Sequence, residues 1–448
     1  MSSRQGVWAA TPQQPPTVIF HLTARFKADS HPKKLNLGVG AYRDDALQPV
    51  VFSAVRKAEA AVVAAGYDKE YLPITGLPAF TVRPRARRLL LRRRRAAAAS
   101  VPRHAPPSSS FLHASHLSLQ KASARLLFGA DCAALNEGRV ATCQTLSGTG
   151  ALTVAAHLVR RTLPGRPVYI SSPTWENHGK VLADAGIADV RPYRYWDGAT
   201  RGLDWAGLQA DLEDAPEGAL VLLHGCAHNP TGVDPSGAQW AALAALCARK
   251  RLLPWFDVAY QGFASGDLDA DAAPLRAFAA AGLELLACQS FAKNFGLYCE
   301  RVGALHVLAA DAASAAAALS TLEAIVRPMY SNPPAHGARV VAAVLGDAAL
   351  NAEWRAQLAA AMARIQRMRA LTAAAIAAKG TPGDWTHIVR QQGMFSFTGL
   401  DKAQATRMVE DFHIYMLDSG RINVAGLNDA AIPIFVDALD KVVRGLPA

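Results

Sequence analysis

Residues 141–161 read ATCQTLSGTGALTVAAHLVRR: a short apolar run, the turn Ser147-Gly148-Thr149-Gly150, then apolar residues three and four apart. The run before the turn suits a buried strand and the pattern after it suits a helix. A strand that turns through small and hydroxyl residues into a helix is the repeating unit of an α/β protein. The same alternation continues outward. Strands are expected at 139–146, 167–171, 219–224, 253–258 and 284–289, with helices at 151–161, 179–185, 237–250 and 274–281. Such a series predicts a mostly parallel sheet flanked by helices. From about residue 348 a long helical stretch leads to a strand-like segment at 393–398 and a closing helix, which reads as a second, smaller α/β domain.

With 448 residues and 51% hydrophobic composition the chain can bury a sizeable core, which excludes disorder throughout, collagen and a disulfide miniprotein. Cys132, Cys143, Cys226, Cys247, Cys288 and Cys299 form no CxxC pair, so free thiols in a reducing compartment are expected, and no metal site. No apolar run reaches the 18 or so residues needed to span a bilayer, and the opening residues hold no apolar signal core. A soluble chain with no membrane partner is expected.

The net charge of +11 invites a polyanionic partner. Its distribution argues otherwise. Residues 82–120 hold nine Arg and no Lys, Asp or Glu; without them the chain carries 38 basic against 36 acidic residues. That stretch has no sustained period and mixes Arg, Ala, Pro and Ser as a low-complexity segment does. Joining Thr81 to Lys121 puts Phe80, Ala122, Ser123, Leu126 and Leu127 on one helix face, with Pro78 at its start and Gly129 just past its end. The segment therefore reads as an insertion that splits a helix, of the kind an intron retained in frame would leave. The competing reading, an Arg-rich nucleic-acid arm, rests on composition alone.

In open parallel sheets ligands gather at the carboxyl ends of strands. The 141–161 turn, with Ser147 and Thr149, suits a phosphate at a helix N-terminus, although many tight turns look alike for packing reasons. The stretch LLPWFDVAYQGF puts Asp257 at a strand end with Tyr260 close behind, where an Asp is also an ordinary helix cap. The stretch ELLACQSFAKNFG puts Ser290 and Lys293 in a turn of small residues. Each is ambiguous singly. Together, a phosphate loop, an Asp and a Lys at three strand ends are what pyridoxal phosphate chemistry needs.

Long stretches then carry a resemblance: LNLGVGAYRDD, KEYLPITGLPAF, SPTWENH, HNPTGVDP, QSFAKNFGLYCERVG, RPMYSNPPAHGARVV, GMFSFTGL and GRINVAGL. The chain resembles the aspartate aminotransferases, class I, fold-type I pyridoxal 5'-phosphate enzymes, over nearly all its length except 82–120. Gly225 stands where Ala is common in that family. RPMYSNPP is most similar to the mitochondrial-type subgroup. The compartment expected from the sequence as written is the cytoplasm, with the mitochondrial matrix or another organelle as the alternative.

The resemblance implies an N-terminal arm at 1–14, a small domain at 15–49 and 361–448, and a large cofactor-binding domain at 50–360. It implies a homodimer with shared active sites. Lys293 would be the Schiff-base lysine and the proton carrier, Asp257 the partner of the pyridine nitrogen, and Tyr260 and Asn229 the partners of the ring's phenolic oxygen. Trp175 would stack on the ring. Ser147, Gly148, Thr149, Ser290 and Arg301 would hold the phosphate, joined by Tyr71 of the neighbouring subunit. Arg421, with the Gly40 backbone, would bind the α-carboxylate, and Arg327 the distal carboxylate across the dimer. A planar guanidinium matches a carboxylate with two parallel hydrogen bonds. The expected reaction is exchange of L-aspartate and 2-oxoglutarate for oxaloacetate and L-glutamate. The alternatives are an aromatic or broad-specificity aminotransferase and a chain inactivated by its insertion.

Overall fold

The computed structural model describes residues 8–9, 11–13, 17–81 and 122–448; the insertion expected at 82–120 and most of the expected arm lie outside them. In chain order the strands are β1 Leu35–Asn36, β2 Val140–Leu146, β3 Val168–Ser172, β4 Val190–Arg194, β5 Trp196–Asp197, β6 Gly202–Leu203, β7 Leu220–His224, β8 Leu253–Val258, β9 Leu285–Ser290, β10 Val302–Leu308, β11 Phe395–Phe397, β12 Ile414–Tyr415 and β13 Arg421–Asn423. Seven form one sheet in the order β2-β10-β9-β8-β7-β3-β4. It is parallel except for β10, which runs antiparallel to both neighbours.

The period of two sorts these strands between two cores. Val221, Leu223, Phe256, Leu285 and Ala287 face one buried cluster, while Leu220, Leu222, Trp255, Leu286 and Cys288 face another. Both faces are thus covered, as a parallel sheet requires. A third cluster joins Leu22, Leu37, Met394 and Phe435 to Trp354 and Phe295. Smaller pairs complete the fold: β1 lies parallel to β12, β5 antiparallel to β6, and β11 antiparallel to β13.

The five expected strands are present within one residue at each end, and the helix expected at 237–250 is Gly237–Lys250, closed by a Ser236/Gln239 capping box. Four readings differ. The helix after β2 begins at Ser147, four residues earlier than expected. The helix expected from residue 274 begins at Leu268, because Asp267 accepts hydrogen bonds from the Asp269 and Ala270 N–H groups, and Pro274 lies inside it. Strands β4 and β10 of the main sheet, and the short strands β1, β5, β6, β12 and β13, carry no strand expectation from the sequence. Finally, residues 78–80 form a turn, and the helix beyond the insertion is Ala122–Phe128.

The flanks of the insertion nevertheless meet. The Thr81 N–H donates to the Leu77 carbonyl at 3.1 Å, and Ser123 Oγ donates to the Phe80 carbonyl at 2.6 Å. All five residues expected on one helix face are buried, and Gly129 follows the helix with φ +88°.

Candidate active site

The carboxyl ends of β2, β7, β8 and β9 lie at one end of the sheet, and because β10 runs backwards its first residues lie there too. A cavity of about 360 Å³ opens at this end. Twelve of the expected site residues line it: Gly40, Ser147, Gly148, Thr149, Trp175, Asn229, Asp257, Tyr260, Ser290, Lys293, Arg301 and Arg421. Tyr71 and Arg327 do not. Tyr71 is 82% exposed, and Arg327, also exposed, donates from Nη1 to Ser331 Oγ at 2.6 Å.

One wall is a helix N-terminus. The residue before Ser147–Thr162 is Leu146, which supplies no side-chain cap, so beyond the Ser147 N–H the first turn of this 16-residue helix stands uncapped beside the cavity. Ser147 holds the left-handed conformation at φ +62°. Its N–H donates to the Arg301 carbonyl at 3.1 Å, and its hydroxyl lies 3.0 Å from that of Ser290. Two glycines permit this crowding. A Cβ on Gly148 would lie 3.0 Å from Ser290 Cβ, and one on Gly303 would lie 2.4 Å from the Ser147 carbonyl carbon. Arg301 stands at the rim, directly before β10, with Nη1 donating to the Tyr298 carbonyl. Grouped in this way, they suit a tetrahedral dianion.

The opposite wall holds Asp257 at the end of β8. It is 8% exposed, and His178 Nε2 lies 3.1 Å from its Oδ2. Burial acts to raise its pKa, but the His178 hydrogen bond and the charges nearby, Lys293 among them, outweigh burial and hold the carboxyl below the usual range. The contact continues outward. Thr174 Oγ1 lies 2.8 Å from His178 Nδ1 and 3.1 Å from His224 Nε2, and the Asn229 N–H donates to His224 Nδ1 at 3.3 Å. Burial, with His228 and His178 nearby, holds His224 far below the usual histidine range. With His224 neutral every donor in the chain points one way, from Asn229 through His224, Thr174 and His178 to the carboxylate. Of this relay the sequence points only to Asn229 and Asp257, since a single histidine, whether at the end of β7 or in the helix Asn177–Asp184, carries no periodic signal.

Lys293 lies between these walls, with Nζ 4.7 Å from the centre of the Tyr260 ring. Burial pushes its ammonium down to about 8; Asp257 opposes the shift, and Arg301 and Arg421 add to it. Burial likewise pushes the Tyr260 hydroxyl well above its usual range. Trp175 packs edge-on against His178, with ring centres 5.3 Å apart.

Arg421 closes the cavity from β13. It is 3% exposed, and its hydrogen bonds go to neutral oxygens: Nη1 to Asn229 Oδ1 at 3.1 Å and Nη2 to the Gly38 carbonyl at 2.7 Å. Its Nε has no hydrogen-bond partner among the described residues. A buried guanidinium that makes no salt bridge among the described residues and stands beside a cavity suits a carboxylate. The loop bearing Gly40 is pinned alongside, where the Tyr42 N–H donates to the Tyr298 hydroxyl at 2.9 Å. Ile19 and Phe20 reach the mouth from the helix Val18–Ala28, and Phe20 is 75% exposed.

This combination of fold and site has a family. The chain belongs to the aminotransferase class I and II family, whose model matches residues 94–439, and its fold is the fold-type I arrangement of these transferases. Among individual proteins, it is 46% identical over 441 residues to the cytoplasmic aspartate aminotransferase of Oryza sativa subsp. japonica, covering 98% of each chain. Relatives named for the chloroplast and the mitochondrion are similar to the same degree. The cytoplasmic aspartate aminotransferase of Saccharomyces cerevisiae superposes with a TM-score of 0.87 at 37% identity, covering 98% of this chain and 99% of that one. The aromatic-amino-acid aminotransferase of Burkholderia pseudomallei, covalently bound to pyridoxal phosphate, superposes with a TM-score of 0.86 at 38% identity, covering 98% and 100%. No helix among the described residues is long and apolar enough to cross a membrane.

Proposed function

We propose that this enzyme is a pyridoxal-phosphate-dependent transaminase that exchanges amino groups between L-aspartate and 2-oxoglutarate, giving oxaloacetate and L-glutamate. The observation that carries the reading is the shared cavity: a buried lysine, a buried carboxylate bonded to His178, an uncapped helix N-terminus and a guanidinium with no salt bridge among the described residues all line it. These residues fit the cofactor group by group.

Pyridoxal phosphate, when bound, supplies an electron sink for charge that develops at the substrate Cα. The protein's part is binding and proton management. The N–H groups that follow Ser147 in the first turn of Ser147–Thr162, the Ser147, Thr149 and Ser290 hydroxyls and Arg301 would hold a phosphate dianion, and Gly148 lets the backbone approach it. Asp257, kept ionised by His178, holds a proton on a pyridine-type nitrogen. Tyr260 and Asn229 offer donors to a phenolate-type oxygen, and the Trp175 face covers the ring. Lys293 would anchor the cofactor, and its amine, pushed down toward 8 by burial and freed when the incoming amino acid takes its place, takes the proton from the substrate Cα and returns it to the carbon two bonds away, across the nitrogen. Arg421 and the Gly40 backbone receive the α-carboxylate.

Tyr71 and Arg327 belong to a second active site in this reading, contributed across a homodimer. Arg327 selects the second carboxylate of aspartate and glutamate. A division into a small domain at 15–49 and 361–448 and a large domain at 50–360 places Arg421 on the former and Lys293 on the latter. The cytoplasm is the proposed compartment.

The similarity to an aromatic-amino-acid aminotransferase favours one rival reading, breadth toward aromatic donors. Relative rates with aspartate and phenylalanine decide between them, with loss of aspartate but not aromatic turnover in Arg327→Ala supporting breadth. With aspartate as a main substrate, the variant loses on the order of 10- to 100-fold in kcat/KM for aspartate, the size of one lost charge-assisted pair. A variant with unchanged aspartate turnover refutes the assignment.

A further inference from the structure

The helix Ala348–Lys379 touches both halves of the site without lining the cavity. Near its start, Trp354 donates from Nε1 to the Asn294 carbonyl at 2.7 Å and stacks on Phe295 with ring centres 4.4 Å apart, which fastens it to the Lys293 turn. Fifteen residues on, roughly 22 Å along a straight helix, Arg369 is 2% exposed. Its Nη1 donates to the Ile388 carbonyl at 2.8 Å, and Nη2 donates to the carbonyls of Gln392, Gly393 and Phe395.

Phe395 is the piece that Arg369 reaches and the cavity feels. The Arg421 guanidinium lies over its ring at 4.1 Å, and Tyr260 meets it edge-on at 5.7 Å. A Cβ on Gly40 would lie 2.8 Å from its Cζ. The same segment also carries the Asn229 loop, since the Gln392 N–H donates to the Gly232 carbonyl at 2.6 Å.

We propose that Arg369 is a positioning residue for carboxylate recognition: it ties residues 388–395 to the long helix, so that Phe395 holds Arg421 at a fixed distance from Lys293. The inference rests on Arg421 being the carboxylate receptor. A guanidinium is suited to this because its two terminal nitrogens, aimed apart, reach four carbonyls that one ammonium cannot span. A residue that merely filled the core would be replaceable by a long apolar side chain without consequence for Arg421.

The test uses the cofactor-loaded full chain and succinate, which has two carboxylates and no amino group. Succinate affinity is read from the change in cofactor absorbance, and melting temperature is recorded separately. Arg369→Lys is expected to keep its cofactor and to weaken succinate binding about tenfold, the cost of re-aiming a charge-assisted bond. Phe395→Leu is expected to weaken it similarly. The double variant is expected to lose no more than either single one, because both act through one contact. Wild-type succinate affinity in Arg369→Lys, or losses that multiply in the double variant, overturns the proposal. Should Arg369→Lys fail to fold, Arg369→Gln replaces it in the same comparison. Arg421→Lys separates the two claims. Lost affinity there with none lost at residue 369 refutes the positioning role alone, whereas unchanged affinity refutes the carboxylate reading beneath it.

Discussion

Gly303→Ala puts one methyl group into the tightest contact behind the phosphate cradle. Gly303 lies in β10 opposite Thr145 on one side and Ser290 on the other, so the strand cannot swing away without breaking both ladders. An added Cβ would lie 2.4, 2.6 and 2.7 Å from the Ser147 carbonyl carbon, carbonyl oxygen and Cα, all main-chain atoms. Restoring ordinary carbon–carbon contact at roughly 3.5 Å requires a shift of about 1 Å. Ser147 must make most of it, and its amide carries the first turn of the helix along. Overpacking of this kind costs about 1–3 kcal/mol in stability. Displacing donors to a dianion by 1 Å weakens one or two charge-assisted bonds, or roughly 10- to 100-fold in cofactor affinity. The assay is titration of the cofactor-free protein with pyridoxal phosphate, followed by absorbance, beside a thermal melt. Gly237→Ala is the control, because a Cβ there meets nothing within 4 Å. If Gly303→Ala binds the cofactor as tightly as the unaltered protein, the cradle is not where the phosphate sits.

Other expectations concern the lysine and the insertion. In the cofactor-free protein the Lys293 amine is expected to react with acylating reagents with a midpoint near pH 8, well below the ordinary 10.5; a midpoint above 10 refutes its placement. The sign for stability follows. Between about 8 and 10.5 the unfolded chain holds a proton that the native lysine has released, so this group makes stability rise with pH across that window. The Lys293→Met variant is expected to lack that rise in denaturant titrations. Removal of residues 82–120 is expected to give a folded protein of equal or higher melting temperature, since Phe80 and Ser123 already touch and a shorter loop costs less to close. An insoluble or cofactor-free shortened chain refutes the foreign-insertion reading.

The strand ends were legible because polar residues interrupt apolar runs where the sheet meets the cavity, as at Asp257 and Ser290. Strand β10 was not, because VGALHVL follows a motif already read as a loop and is buried at every position, which erases the period of two. Strand β4 was missed for the opposite reason. It lies at the sheet edge, contains Pro192 and is largely exposed. The Ser147 helix start was hidden by glycines that usually signal a turn, yet here make room for Ser290. Lys293, Asp257 and Arg421 were found through motifs. Arg369 and the histidine relay were not, since what they do depends on main-chain oxygens and hydroxyls brought together only by folding. Tyr71 and Arg327, legible as motif residues, lie outside this chain's own cavity, and the role proposed for them rests on the proposed homodimer.

The most direct test of the functional reading is glutamate formation from 2-oxoglutarate by the pyridoxal-phosphate-loaded 448-residue chain, with L-aspartate as donor. The expected result is turnover that depends on the cofactor, is faster with aspartate than with L-phenylalanine, and disappears in Lys293→Ala. Cofactor-loaded protein that makes no glutamate from aspartate, or a Lys293→Ala variant that still does, would contradict it.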